Sequence, residues 1–240
     1  MYKFYLFIKN SIKNLKKILP FIRSNHFLIF KRIIIDQFYV EFQPSFDLER
    51  EKIYLKCSFN YPDWFSRNIN IWNRFLRNLE EINYLEVGTF EGRSAIFVGK
   101  LNNTKNITCV DHFRGSDGHE EINFDTVFEN CKKNLSTLNV KNDLIKSKSS
   151  DFFKNNKKKF NVIYIDGSHF YNDLKKDFEN SFNCLEKEGL LICDDFLWFF
   201  YKEIEKNPAN TLLECAEKYK NELEIIFINK QMILKKRSNK

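Results

Sequence analysis

Glycine and proline are scarce, with seven and four in 240 residues. That composition excludes a collagen-like or low-complexity chain. No apolar run approaches the ~18 residues that cross a bilayer, which excludes a polytopic membrane protein. The six cysteines form no C-x-x-C pair and no zinc spacing. They read as buried, reduced thiols of a cytosolic protein. Acidic residues are missing altogether from residues 1–35, which hold eight Lys/Arg. The rest of the chain is near neutral, with 31 basic against 32 acidic residues. A nucleic-acid-binding core would carry its basic face on the fold itself, so nucleic acid is not an expected partner.

What is present supports a folded domain. The chain is 43% hydrophobic and 30% charged, enough to bury a core in one large domain or one domain plus an extension. Three segments are expected. Residues 1–42 are a basic amphipathic segment, residues 43–80 a lead-in helical cap, and residues 81–236 the main domain. In the first, Phe4, Leu6, Phe7, Ile8 and Ile12 alternate with Lys3, Lys9 and Lys13, and Pro20 separates this stretch from Phe27–Val40. A signal peptide fits poorly, because lysines interrupt the apolar stretch and no small-residue cleavage site follows. Two readings stay open for residues 1–35: a helix on an anionic membrane surface, or one packed on the domain or on a second copy in a homodimer. Localisation is correspondingly cytoplasmic, with the inner membrane surface as the variant.

From Glu81 onward short apolar runs alternate with helical patterns. Strands are expected at 84–88, 107–111, 144–148, 162–166 and 190–194, with helices near 92–100, 127–138, 171–184 and 209–220. Residues 223–228 and 232–235 read as an antiparallel hairpin. This alternation implies an α/β fold with a mostly parallel sheet and helices on both faces. Such sheets bind ligands at the carboxyl ends of their strands, where Glu86, Gly88, Asp111, Asp166, Asp194 and Asp195 fall. A helix at 69–79, entered through Pro62-Asp63-Trp64-Phe65-Ser66, either covers the ligand or packs on the sheet.

Leu85-Glu86-Val87-Gly88-Thr89-Phe90-Glu91-Gly92-Arg93-Ser94 is a strand, a tight turn and a helix start. It is neither G-x-G-x-x-G nor a P-loop. Glu86 would repel a pyrophosphate and welcome an amino group or a sulfonium. Asp111, at the end of the next strand, is placed to accept ribose hydroxyls. Together these residues point to an adenosine-type ligand bearing positive charge. Asp166, Asp194 and Asp195 would repel one another unless a hard cation such as Mg²⁺, Mn²⁺ or Ca²⁺ lay among them. His169 is a candidate general base at neutral pH.

These motifs, with Thr108-Cys109-Val110-Asp111, Tyr164-Ile165-Asp166-Gly167-Ser168-His169 and Cys193-Asp194-Asp195-Phe196, resemble the class I S-adenosylmethionine-dependent methyltransferases. Within them the chain is most similar to the methyltransferase domain 24 group, over residues 60–236. The resemblance implies a Rossmann-like three-layer α/β/α sandwich, with a seven-stranded sheet and an antiparallel last strand. It implies that Glu86, Gly88 and Gly92 face the methionine end of S-adenosylmethionine, that Asp111 holds the ribose, and that Ser149 approaches the adenine. It also implies Mg²⁺ on Asp166, Asp194 and Asp195, with His169 as the base beside Asp166. The chain departs from the group at Ser147 and His112 and in the charged loop 113–123. The expected activity is O-methylation of a sugar, glycan precursor or other small polar acceptor, assisted by metal. The alternatives are a metal-dependent hydrolase using the three acids and a non-catalytic cofactor-binding partner.

Overall fold

A computed structural model describes residues 2–21, 27–43, 47–115, 119–199, 201–203 and 206–238. Residues 116–118 of the charged loop lie outside them. The helices are α1 (Tyr2–Ile18), α2 (Phe27–Phe42), α3 (Asp47–Tyr54), α4 (Ile69–Leu76), α5 (Arg93–Gly99), α6 (Phe124–Leu135), α7 (Ser149–Asn155), α8 (Tyr171–Cys184) and α9 (Pro208–Lys218). The strands are β1 (Ile82–Val87), β2 (Thr104–Asp111), β3 (Lys141–Lys146), β4 (Phe160–Ile165), β5 (Leu185–Cys193), β6 (Leu223–Ile228) and β7 (Met232–Lys236). They form one seven-stranded sheet in the order β3-β2-β1-β4-β5-β7-β6. The expected Rossmann-like architecture is therefore present, including the antiparallel last strand.

The chain groups into two compact units, residues 45–168 and residues 1–44 with 169–240. In the first, β1 pairs in parallel with β2 and with β4, and β2 with β3. Tyr84, Leu85 and Val87 of β1 and Ile163, Tyr164 and Ile165 of β4 are buried, as expected for strands covered on both faces. Helix α4 settles the choice left open for the lead-in: it packs on the sheet. Trp72 is fully buried and meets Tyr164 edge-on at 4.8 Å and Phe65 at 4.8 Å. Burying such a ring contributes roughly 2–3 kcal/mol.

In the second unit β7 runs antiparallel to both β5 and β6. Ile192 and Cys193 of β5 face Ile233 and Met232 of β7 in register, and all four are buried. Strand β5 begins at Leu185, five residues before the expected start. Its first turn carries Glu186, Lys187 and Glu188, all exposed, so no apolar run marks it. Helix α7 was not expected either. Helix α7 buries no residue, and so has no apolar stripe to reveal it.

Candidate functional site

The turn after β1 is built around Gly88. Its N–H donates to Val110 O at 2.9 Å, and its φ is +87°. A β-carbon there would lie 2.1 Å from Asp166 O, so no other residue fits. Phe90, with φ +52°, is in the left-handed region that costs a non-glycine residue about 1 kcal/mol or more. Asp111, expected to hold a ribose, accounts for that conformation. Its Oδ2 accepts from Thr89 N and Phe90 N, both at 2.9 Å, and its Oδ1 accepts from Phe113 N at 2.7 Å. The carboxylate therefore shapes the turn. An ionised carboxylate has about four acceptor sites, so one remains on Oδ1 for a ribose hydroxyl, rather than the pair expected from sequence. Gly92, φ +83°, caps α5. Ser149 is the first residue of α7 and half-buried.

Glu86 is fully buried on β1. Ser94 Oγ donates to its Oε1. The Tyr84 hydroxyl neighbours this carboxyl, and Oε2 has no hydrogen-bond partner among the described residues. Burial pushes this carboxyl up to about 8, and the nearby Asp111 adds to the rise against the opposing effect of Ser94. In the unliganded fold Glu86 is thus a neutral acid at pH 7, not the anion that the sequence suggested. A cationic ammonium brought against Oε2 would satisfy the orphaned atom and favour ionisation. These groups fit the charged, amino-bearing end of S-adenosylmethionine, and Asp111 Oδ1 fits its ribose.

Sequence reasoning missed the residues that fasten the lead-in to this turn. Glu91 is buried; it accepts from Asn60 N and Asn130 Nδ2 through Oε1, and from Tyr61 N through Oε2. Asn134 Nδ2 donates to Ser58 O and to Glu91 O, and Asn134 Oδ1 accepts from Ser58 N. Arg93 lies over the Phe59 ring at 3.7 Å and pairs with Asp63 at 3.6 Å. Trp64, more than half exposed, then reaches Phe90 at 5.2 Å and stacks on His119 at 5.8 Å. The E-G-R run carried the only local signal for this latch. Its partners lie 30 or more residues away.

In the other unit His169 Nε2 and Asp195 Oδ2 are 2.6 Å apart. Asp195 has φ +55°, which turns its carboxylate out of the strand direction. Asp194 Oδ1 accepts from Asp195 N at 2.8 Å and stabilises that bend. The His169 ring stacks on Trp198 at 4.5 Å, and Trp198 meets Tyr201 edge-on at 5.9 Å. A carboxylate partner fixes which nitrogen carries the proton. With Nε2–H given to Asp195, Nδ1 is the basic nitrogen. In the first unit, Asp166 Oδ2 accepts from the Tyr164 hydroxyl at 3.0 Å.

Among the described residues no three His, Cys, Asp or Glu side chains gather to hold an ion. Asp195 Oδ2 meets His169, and Asp194 Oδ1 accepts from the Asp195 backbone. No metal site is seen among the described residues, and the hydrolase alternative is not favoured.

Residues 85–196 match a family model described as a methyltransferase domain. An uncharacterized protein of Acanthamoeba polyphaga mimivirus is 26% identical over 161 residues, spanning 62% of this chain and 70% of that one. Among solved structures, the fold is similar to the MycE methyltransferase of the mycinamycin biosynthetic pathway, solved with Mg, SAH and mycinamycin VI. That match has 13% identity and a TM-score of 0.54, over 94% of this chain and 62% of MycE. In another crystal form of MycE the chain spans 54% of its length. A candidate caffeoyl-CoA O-methyltransferase from Staphylococcus aureus is 18% identical, with a TM-score of 0.55 over 88% of this chain and all of that one. The N-methyltransferase NodS from Bradyrhizobium japonicum is 12% identical, with a TM-score of 0.50 over 71% of this chain and 95% of that one. The shared fold thus serves both O- and N-methylation and does not itself choose the acceptor atom. Residues 85–196 thus carry a methyltransferase domain, on a fold shared with solved S-adenosylmethionine-dependent methyltransferases.

Proposed function

We propose that this methyltransferase acts on a hydroxyl oxygen of a sugar, glycan precursor or other small polar acceptor. The observation that carries the reading is the His169–Asp195 pair at 2.6 Å, flanked by the Trp198 ring. A hydroxyl is a poor nucleophile until its proton has somewhere to go, and a histidine oriented by a carboxylate offers a nitrogen to receive it. The similarly folded MycE is solved with mycinamycin VI, in line with a small-molecule ligand.

The roles of the residues follow. Glu86 and the Gly88–Gly92 turn receive the methionine end of the cofactor, Asp111 Oδ1 orients the ribose, and Ser149 faces the adenine. When bound, S-adenosylmethionine supplies an electrophilic methyl group on a sulfonium. His169 Nδ1 takes the acceptor proton as the O–CH₃ bond forms and the S–CH₃ bond breaks. Asp195 holds the ring through Nε2–H and stabilises the imidazolium that results. Trp198 fixes the ring plane and offers an apolar face for an acceptor ring. Asp166, Asp194 and Asp195 are not assigned a metal-borne step.

The test is methyl transfer from radiolabelled S-adenosylmethionine to a panel of sugars and small phenols, using the wild type, His169→Asn and Asp195→Asn. The expected result is transfer to a hydroxyl acceptor that falls about 10²–10⁴-fold in either variant, with retained binding of S-adenosylhomocysteine. Transfer only to amines, or variants of full activity, would refute the reading.

A further inference from the structure

Helices α1 and α2 form an antiparallel hairpin. Asn10 Nδ2 donates to Glu41 Oε1 at 2.6 Å, and Asn14 Nδ2 to Gln37 Oε1 at 2.7 Å. The inner side of α2 is fixed to the end of β6: Asp36 Oδ2 accepts from Ile228 N at 2.8 Å, and Gln37 Oε1 from Asn229 Nδ2 at 2.7 Å. These bonds give the hairpin a defined inner face, with Ser11, Ile18 and Ile33 buried.

The outer face is of a different kind. On α1, Tyr2, Tyr5, Lys9, Ile12 and Lys16 recur at helical spacing and are exposed; Tyr2 is 73% and Tyr5 59% accessible. On α2, Lys31, Ile34, Ile35, Phe38 and Phe42 form a second exposed stripe, and Phe7 joins the helices by an edge contact with Phe38 at 5.4 Å. Lys9, Lys13, Lys16 and Lys17 line one shallow hollow around Ile12. Residues 1–35 contain no acid, and Asp36 and Glu41 are spent on the internal bonds described. The exposed field is therefore positive, while the exposed side chains are aromatic and aliphatic. A second copy would bring lysines onto lysines. An acidic peptide would match the charge but not the breadth of apolar surface. An anionic bilayer matches both: phosphates for the lysines, acyl-chain boundary for Ile and Phe, headgroup level for Tyr.

We propose that the α1–α2 hairpin docks the protein in the plane of an anionic lipid surface. No helix among the described residues is long and apolar enough to cross a membrane, so docking is interfacial. The proposal is independent of the acceptor.

The test is co-sedimentation of the full chain with phosphatidylcholine vesicles, with and without one-third phosphatidylglycerol. Two variants accompany it: Lys9→Glu/Lys13→Glu/Lys16→Glu, and Tyr2→Ser/Tyr5→Ser/Phe38→Ser. All six positions are exposed, and Lys17 is left intact because its Nζ donates to Leu197 O at 2.5 Å. The expected result is pelleting with the anionic vesicles only, reduced about a hundredfold by the charge reversal and clearly weakened by the apolar variant. Failure of the wild type to pellet with anionic vesicles would overturn the proposal. So would equal pelleting of the charge-reversed variant, or a stable dimer in ultracentrifugation that persists in it, which would assign this face to a second copy.

Discussion

Glu86 offers a quantitative test of how the buried turn is built. Its carboxyl rises from 4.5 to about 8 because the fold strips it of water. A folded-state pKa above the unfolded value means that the native state binds the extra proton between these limits. Stability from this group is therefore full below about pH 4.5 and is lost as pH rises through about 8. At about 1.4 kcal/mol per unit, the loss between pH 4.5 and 7 is roughly 3 kcal/mol. Glu86→Gln keeps an acceptor for the Ser94 hydroxyl and removes the titration. Urea unfolding of both proteins from pH 5 to 8.5 gives the difference directly, because other titrating groups are shared. The variant is expected to gain on the wild type by about 3 kcal/mol by pH 7. Parallel pH curves would refute the burial argument. A second readout concerns the ligand. Calorimetry of S-adenosylhomocysteine binding at pH 7 in buffers of different ionisation enthalpy is expected to show proton release in the wild type and none in Glu86→Gln.

Other positions give separable outcomes. Gly88→Ala places a β-carbon 2.1 Å from Asp166 O at positive φ, so a loss of several kcal/mol is expected on denaturation, enough to compromise folding. Asp111→Asn sets an amide among three backbone donors; stability is expected to fall by about 1–3 kcal/mol, and cofactor affinity with it, measured by denaturation and calorimetry. Glu91→Ala frees the lead-in; hydrogen exchange at Asn60 and Tyr61 is expected to accelerate while the sheet amides stay protected.

Much of this architecture was readable because the central strands are short apolar runs. Tyr84–Val87 and Val162–Ile165 carry that signal, and α8 begins and ends where the pattern placed it. What was not readable has physical causes. Helix α7 lies wholly at the surface, and the start of β5 is charged, so neither offers periodicity. The candidate site divides in the same way. Residue identity flagged Glu86, Asp111 and His169, but not their states. Burial makes Glu86 a neutral acid, and backbone amides claim three acceptor sites of Asp111. Asp195 turns to His169 through a positive φ that no sequence pattern announces. The Glu91 latch depends on amides 30 and 31 residues upstream, a pairing that only the fold creates.

The most direct measurement is a calorimetric titration of the full chain with S-adenosylhomocysteine, alongside Asp111→Ala. Micromolar one-to-one binding by the wild type, lost in a variant that remains folded, is the expected result. A folded wild-type protein that gives no binding heat at any of several temperatures, and no shift in melting temperature with ligand, would contradict the assignment of this turn to the cofactor.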